Sequence, residues 1–331
     1  MNPGLCIVGC GAFAKTFARG VTPLRDRVDL FFASRDRSRA QAYSEQFNGA
    51  GAFGSYETAA AHPAVDAMYL CTPHHLHLEH ANLAARYGKH ILVEKPIAST
   101  LSQGQQIIDA ARQAGVTLMV AENYRFMAPV RECRRLVDSG TIGDLRLVQL
   151  QEEAPFSPGG WRNLRESNGG GILIDGGIHK IHFLRYLSGE PATVYAAELP
   201  KALNDHDGED GVVIIARWDN GTVGLINHSW VASRQPSPRL VSVSGSQGRL
   251  TFAAGESWLR IEGADSEETI SLPPDNAGLT AMLQEFLNSI REHRDPETSG
   301  AEGLKDLALV LNAYESMKHG VPIRVTPPGG R

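Results

Sequence analysis

The chain has 331 residues, 42% of them hydrophobic and 21% charged, which is enough for two domains with buried cores and excludes disordered and fibrous classes. A formal charge of −5 with no like-charge block excludes a basic footprint for nucleic acid and leaves small molecules or further copies of the chain as partners. No apolar run reaches the roughly 18 to 20 residues that span a bilayer. The first residues show neither a charged leader nor a cleavable apolar stretch, so no membrane contact and a cytoplasmic location are expected. Cys6, Cys10, Cys71 and Cys133 form no CxxC pair and read as reduced thiols.

Up to residue 122, short apolar runs alternate with helical stretches, the pattern of βα units in a parallel sheet. Strands are predicted at 5–8, 30–33, 67–71, 90–93 and 117–120, with helices starting near Phe13, Arg37, His77 and Ser102. Gly115 marks the end of the last helix. Beyond residue 122, strands are predicted at 145–152, 193–199, 211–218, 222–229, 240–244 and 249–252. Turn signals at Asp219, Asn220 and Gly221, and between Gly245 and Gly248, make this a mostly antiparallel sheet. Two amphipathic helices, at 279–293 and 301–318, close the chain. The predicted fold class is therefore α/β followed by α+β. Residues 1–122 read as a Rossmann-type α/β domain and residues 123–331 as an α+β domain, an open sheet with helices on one face.

Gly9, Cys10, Gly11, Ala12, Phe13 and Ala14 fit GxGxxA between the first strand and its helix. Gly9 suits the tight turn, Gly11 lets the backbone approach a pyrophosphate, and Ala12 and Phe13 open the helix whose N-terminus faces it. An ordinary glycine-rich βα turn is the plainer alternative. After the second strand stand Ser34 and Arg35, where an NAD site would offer a carboxylate to the ribose. Arg35 and Arg39 suit the 2′-phosphate of NADP, whereas Asp36 would serve NAD if the strand ended a residue or two later. NADP is expected, with NAD possible.

Glu94, Lys95 and Pro96 stand at the carboxyl end of the fourth predicted strand, where ligands bind in open α/β sheets. Farther on, Gly169, Gly170 and Gly171 precede a helical stretch over 172–187 with Ile174, Ile178, Ile181 and Leu184 on its apolar face. Asp175, His179, His182 and Tyr186 follow at spacings that stack them along one side. A solvated face is one reading of that stripe. An acid/base pair of Asp175 and His179 is the other, because a carboxylate one turn away orients an imidazole and raises its basicity. The cluster His74, His75, His77 and His80 lacks the three or four ligands from well-placed elements that zinc requires, so no metal is expected. Thr72 and Pro73 shape this turn, and His77 packs or caps the next helix.

Four segments, GCGAFA at 9–14, TPHHLH at 72–77, GKHILVEKP at 88–96 and GGGILIDGGIH at 169–179, resemble the Gfo/Idh/MocA family of nicotinamide-dependent oxidoreductases. The resemblance covers nearly the whole chain. It implies that Lys95, Asp175 and His179 are catalytic. His179 would exchange a proton with the reacting oxygen, Lys95 would polarise that oxygen, and Asp175 would bind a neighbouring hydroxyl or orient the pair. It further implies cofactor contacts at Thr72, Pro73, His77, Glu94, Lys95, Asn123, Trp161 and Arg162. Substrate contacts would fall to Lys95, Arg125, Trp161, Asp175, His179 and His182. Two positions depart from the family pattern: His74 stands where asparagine often follows TP, and His182 where an acidic residue often lies three after the histidine. The implied function is an NADP-preferring oxidoreductase of a secondary alcohol or ketone on a sugar, cyclitol or related polyol. Alternatives are a trans-dihydrodiol dehydrogenase, a redox glycoside-cleaving enzyme with tightly bound NAD, and a non-catalytic nucleotide-sensing regulator. A homo-oligomer, dimer or tetramer, through the second-domain sheet is also implied.

Overall fold

The computed structural model describes residues 2–231, 239–326 and 328. It divides into two compact units: Met1–Glu122 with Leu279–Leu304, and Asn123–Gly278 with Lys305–Arg331.

In the first unit, strands and helices alternate as β1 (Gly4–Val8), α1 (Ala12–Gly20), β2 (Asp29–Ala33), α2 (Arg37–Phe47), β3 (Gly51–Phe53), α3 (Tyr56–Ala61), β4 (Ala67–Leu70), α4 (His77–Arg86), β5 (His90–Val93), α5 (Leu101–Ala114) and β6 (Leu118–Val120). All strand pairs are parallel, in the order β3-β2-β1-β4-β5-β6. The order reverses between β1 and β4, which makes the carboxyl end of β1 the topological switch point where such sheets bind ligands. Every residue of β1 and β4 is buried, as expected of strands covered on both faces. β3 and α3 lay outside the predicted elements: three and six residues are too short to show a period.

The second unit runs through α6 (Ala128–Asp138), β7 (Leu145–Glu153), α7 (Arg165–Asn168), α8 (Ile178–Ser188), β8 (Thr193–Glu198), β9 (Gly211–Arg217), β10 (Val223–Ser229), β11 (Leu240–Gly245), β12 (Arg249–Ala253), β13 (Trp258–Glu262) and β14 (Glu267–Ser271). Then come α9 (Leu279–Glu292), which belongs to the first unit, α10 (Gly300–His319) and β15 (Ile323–Arg324). The nine-stranded sheet has the order β14-β13-β12-β11-β7-β10-β9-β8-β15, antiparallel except where β10 pairs with β7 in parallel. Val148, Leu150, Ile214, Ile226 and Val243 are buried, and Leu184 of α8 lies against Gly224 of β10. The alternate residues Tyr195 and Ile215 are each 36% exposed, so one face of the sheet is open.

The sequence reading put all of 123–331 in one domain, and the segment 279–304 departs from that. Thr280 Oγ1 donates to the carbonyl of Gly20, Arg27 Nη1 donates to Gln284 Oε1, and Thr298 Oγ1 donates to the carbonyl of Val120. An amphipathic helix carries no mark of which sheet it will cover. Among the described residues, no helix is long and apolar enough to cross a membrane.

Candidate active site

In the first unit the site begins at the turn after β1. Gly9 has φ +97, and a Cβ there would lie 2.7 Å from the carbonyl oxygen of Cys71, so the β1 and β4 ends approach too closely for any side chain. At Gly11 a Cβ would meet nothing within 4 Å. Gly11 is also the N-cap of α1 and supplies no side-chain hydrogen bond, so the first N–H groups of α1 stay available to an anion. Open space over a glycine backbone at an uncapped helix start fits a dinucleotide pyrophosphate.

β2 ends at Ala33, followed by the buried Ser34, whose Oγ accepts from the N–H of Asp36 at 3.2 Å. Asp36 is the N-cap of α2, and its Oδ1 accepts from Ser38 N, Ser38 Oγ and Arg39 N. Those bonds, the Ser38 hydroxyl foremost, lower its pKa. The carboxylate is thereby engaged in capping. Arg35 and Arg39 are exposed; Arg35 acts electrostatically on His80 and Tyr56, and Arg39 on Cys10 and Tyr43. Arg39 thus borders the glycine turn, and Arg35 lies nearer the helix after β4. Tyr43 Oη donates to the carbonyl of Gly11 at 3.1 Å.

The histidines after β4 are tied to the backbone. His77 is fully buried, with Nε2 3.0 Å from the carbonyl of Thr72 and Nδ1 2.9 Å from the carbonyl of Pro96, so one ring joins the ends of β4 and β5. Burial outweighs both carbonyls and lowers its pKa to about 4, leaving a neutral ring that donates from one nitrogen. His80 Nδ1 lies 3.0 Å from Thr72 Oγ1, and burial, then Arg35, lowers its pKa to about 4. His74 is buried, its ring 5.7 Å from that of His77.

Lys95 is half-buried beside the buried Glu94, whose Oε1 accepts a very short hydrogen bond from Tyr69 Oη. Burial raises the Glu94 pKa to about 7, against the opposing pull of Lys95 and Tyr69; the buried Glu122 adds to the rise.

In the second unit the predicted helix over 172–187 is two structures, a π turn (Leu173–Gly177) and then α8. π turns collect at functional sites, and this one carries Asp175. Its start is closed by distant residues. Tyr314 Oη accepts from the N–H groups of Gly171 and Ile174, each at 3.3 Å, and donates to Glu209 Oε1 at 2.9 Å. Glu209 Oε1 also accepts from Leu173 N, and its carbonyl from Ile172 N. A Cβ at Gly171 would fall 2.1 Å from that carbonyl, which is why this position is glycine.

Asp175 Oδ2 accepts from Arg162 Nε at 3.0 Å, and the Arg162 guanidinium lies over the Trp161 ring at 4.4 Å. Asp175, Trp161 and Arg162 are thereby brought together. The stripe on α8 is covered: the ring of Tyr124 stacks on that of His179, centroids 4.2 Å apart and 9° from parallel, and the Arg125 guanidinium lies 3.5 Å from the centre of Tyr186. His182 is buried with Nδ1 2.8 Å from Asp306 Oδ2, and Arg185 bonds the other oxygen of Asp306. Asn123 Nδ2 donates to the carbonyl of Ala277 at 2.8 Å.

Seven neighbours of this site were not singled out from the sequence: Tyr124, Glu152, Lys180, Glu209, His228, Arg239 and Tyr314. Lys180 Nζ donates to Glu152 Oε2 at 2.5 Å, and Arg239 Nε pairs with Glu152 Oε1 at 2.9 Å. Burial works against the Glu152 carboxylate, but Lys180 foremost, with Arg239, holds its pKa at about 2. His228 Nδ1 lies 3.2 Å from the carbonyl of Glu152; burial, then Lys180, takes its pKa to about 3, so the ring is neutral. The local signal available was only the position of Tyr124 between Asn123 and Arg125.

A parallel sheet with a glycine turn at its switch point, followed by an open sheet bearing an Asp/His helix, defines a dinucleotide-dependent oxidoreductase. The family description of an oxidoreductase with an NAD-binding Rossmann fold matches residues 4–122, and that of the GFO/IDH/MocA C-terminal domain matches 130–251. The chain belongs to the Gfo/Idh/MocA family of NAD(P)-dependent oxidoreductases acting on CH–OH groups. It is 28% identical to a 1,5-anhydro-D-fructose reductase of Ensifer adhaerens, over 95% of this chain and 96% of that one. It is 34% identical to a trans-1,2-dihydrobenzene-1,2-diol dehydrogenase of Danio rerio, over 76% and 74%. The structure of a levoglucosan dehydrogenase with NADH and levoglucosan superposes with a TM-score of 0.89 at 22% identity, over 98% of this chain and 100% of that one.

Proposed function

We propose that the chain is an NADP(H)-preferring enzyme that interconverts a secondary alcohol and a ketone on a sugar, cyclitol or related polyol, with Lys95, Asp175 and His179 as its reacting residues. The observation that carries this reading is the Asp175/His179 pair, one turn apart, with Asp175 held by Arg162 and the imidazole held flat on Tyr124. A bound nicotinamide supplies or receives the hydride. His179 takes the hydroxyl proton during oxidation and returns it during reduction. Lys95 polarises the reacting oxygen, and Asp175 with Arg162 and Trp161 orients the hydroxyl beside it. The engagement of Asp36 as a helix cap, with Arg35 and Arg39 exposed, supports NADP over NAD. The sugar-derived names of the Ensifer adhaerens relative and the levoglucosan dehydrogenase support a polyol substrate. The Danio rerio relative favours a second reading, a trans-dihydrodiol substrate.

The test is a parallel screen of polyols, sugars, their keto forms and trans-dihydrodiols with NADP(H) and NAD(H), followed at the reduced nicotinamide absorbance. Turnover of a polyol or its ketone with NADP(H) is expected. Faster turnover of a dihydrodiol moves the assignment to the second reading, and cofactor binding without turnover of any compound rejects both. The open sheet face around Tyr195 and Ile215 is proposed to take a second copy of the chain. Light scattering that reports a monomer, unchanged by Ile215→Glu, removes that part.

A further inference from the structure

The ring under His179 is itself held from below. Tyr124 Oη accepts from Arg239 Nη1 at 3.3 Å, Arg239 pairs with Glu152, and Glu152 pairs with Lys180, the residue that follows His179. Tyr124, Glu152, Lys180 and Arg239 line one small cavity. The Lys180 and Glu152 side chains are 5% and 10% exposed, so this pair is shielded from solvent, while the Arg239 side chain, 49% exposed, reaches the surface. A tyrosine fixed at its hydroxyl end cannot swing away from the imidazole that lies on its face.

We propose that Tyr124 is a positioning residue for His179: it sets the plane of the imidazole and, through its electron-rich face, favours the protonated ring. This rests on the assignment of His179 as the acid/base group. An aromatic face attracts a cation stacked on it and does little for a neutral ring, so the stack discriminates between the two states of His179. The other groups of this unit around His179 divide by sign. Lys180 and Arg239 oppose protonation and Glu152 and Asp175 favour it, with Arg162 offsetting Asp175. His228 on β10 is neutral, and its Nε2 faces Gly176, where a Cβ would lie 2.8 Å from it. Lys180 is buried against Glu152, and the half-exposed Arg239 adds a second, solvent-screened cation. The Tyr124 face counters that positive charge at the ring itself.

The experiment is an NMR titration of the His179 ring protons in the full chain, assigned by their loss in His179→Asn, for the wild type, Tyr124→Phe and Tyr124→Leu. In the wild type the His179 ring protons are expected upfield of an unstacked imidazole, by the ring current of Tyr124. Tyr124→Phe keeps the face and should hold the titration midpoint within a few tenths of a pH unit. Tyr124→Leu removes the face and should lower the midpoint by roughly half a unit to one unit. The acid limb of kcat/KM for alcohol oxidation should move down by the same amount. An unshifted wild-type signal, or the same midpoint in Tyr124→Leu, overturns the proposal, and the wild-type signal decides even where the leucine variant does not fold. Ring-current and midpoint shifts with no turnover in any variant leave the stack standing and remove the dehydrogenase reading. Turnover with an unmoved midpoint does the reverse.

Discussion

The histidines of the two units are held by different means. In the first unit, His77 is tied to two backbone carbonyls and His80 to the hydroxyl of Thr72. Both rings are neutral, and the turn they brace is made of main chain. In the second, His179 lies on an aromatic ring and His182 on a buried carboxylate, and the groups around them are ion pairs between side chains. A turn braced to backbone is rigid and indifferent to most side-chain changes, as suits recognition of a charged group through main-chain N–H groups. A site built from ion pairs can be retuned one residue at a time, as suits substrates that differ.

That contrast is most exposed at His179. His179→Asn should lower kcat by about 10²- to 10⁴-fold while dinucleotide affinity, measured by fluorescence titration, stays put. A loss of less than tenfold would show that the second unit does not hold the acid/base group. Next in size is Lys180→Met, which strips one cation from a buried carboxylate and should cost about 3–5 kcal/mol in chemical denaturation. The same change at the exposed Arg112, paired with Asp109, should cost under about 1 kcal/mol.

In the first unit the test is Glu94. Its carboxyl titrates at about 7 when folded and near 4.5 otherwise, so the folded chain holds an extra proton between those values. The stability it contributes is complete below pH 4.5 and is lost as pH rises through about 7. Glu94→Gln should therefore gain on the wild type across that window, by up to about 3 kcal/mol, and run parallel above it. Parallel curves throughout would mean that Glu94 shares its proton differently with Tyr69 and Glu122. A smaller effect than at Glu94 is expected for Arg35→Ala, about tenfold weaker NADP binding with NAD unchanged, read by isothermal titration. Equal losses for both cofactors would break the assignment of the 2′-phosphate to that edge.

The first unit was legible in its sequence because backbone requirements leave local marks. Gly9 and Gly11 bracket the turn, and Gly115 adopts the left-handed conformation that ends α5. Asp36 was ambiguous, since a carboxylate near a strand end reads alike whether it binds a ribose or caps the next helix. In the second unit the glycines and the Asp/His spacing could be read, but the partners could not. Lys180 meets Glu152 across 28 positions, and Arg239 meets Tyr124 across 115. No periodicity links such pairs; they become neighbours only when β7 and α8 pack together. The strand β14 went unpredicted for a simpler reason, since Glu267–Ser271 is largely exposed and shows no apolar alternation.

The closure of the π turn by Tyr314 also sets an order of events. The N–H of Ile174 finds its acceptor 140 residues downstream, and the N–H of Leu173 finds Glu209 after 36. At a synthesis rate of about 5–20 residues per second, the helix start that carries Asp175 waits roughly 7 to 28 seconds on the ribosome for its last hydrogen bond. The glycine turn is complete long before. The glycine turn thus forms from local sequence, whereas the stretch that carries Asp175 is closed only once Tyr314 has been made.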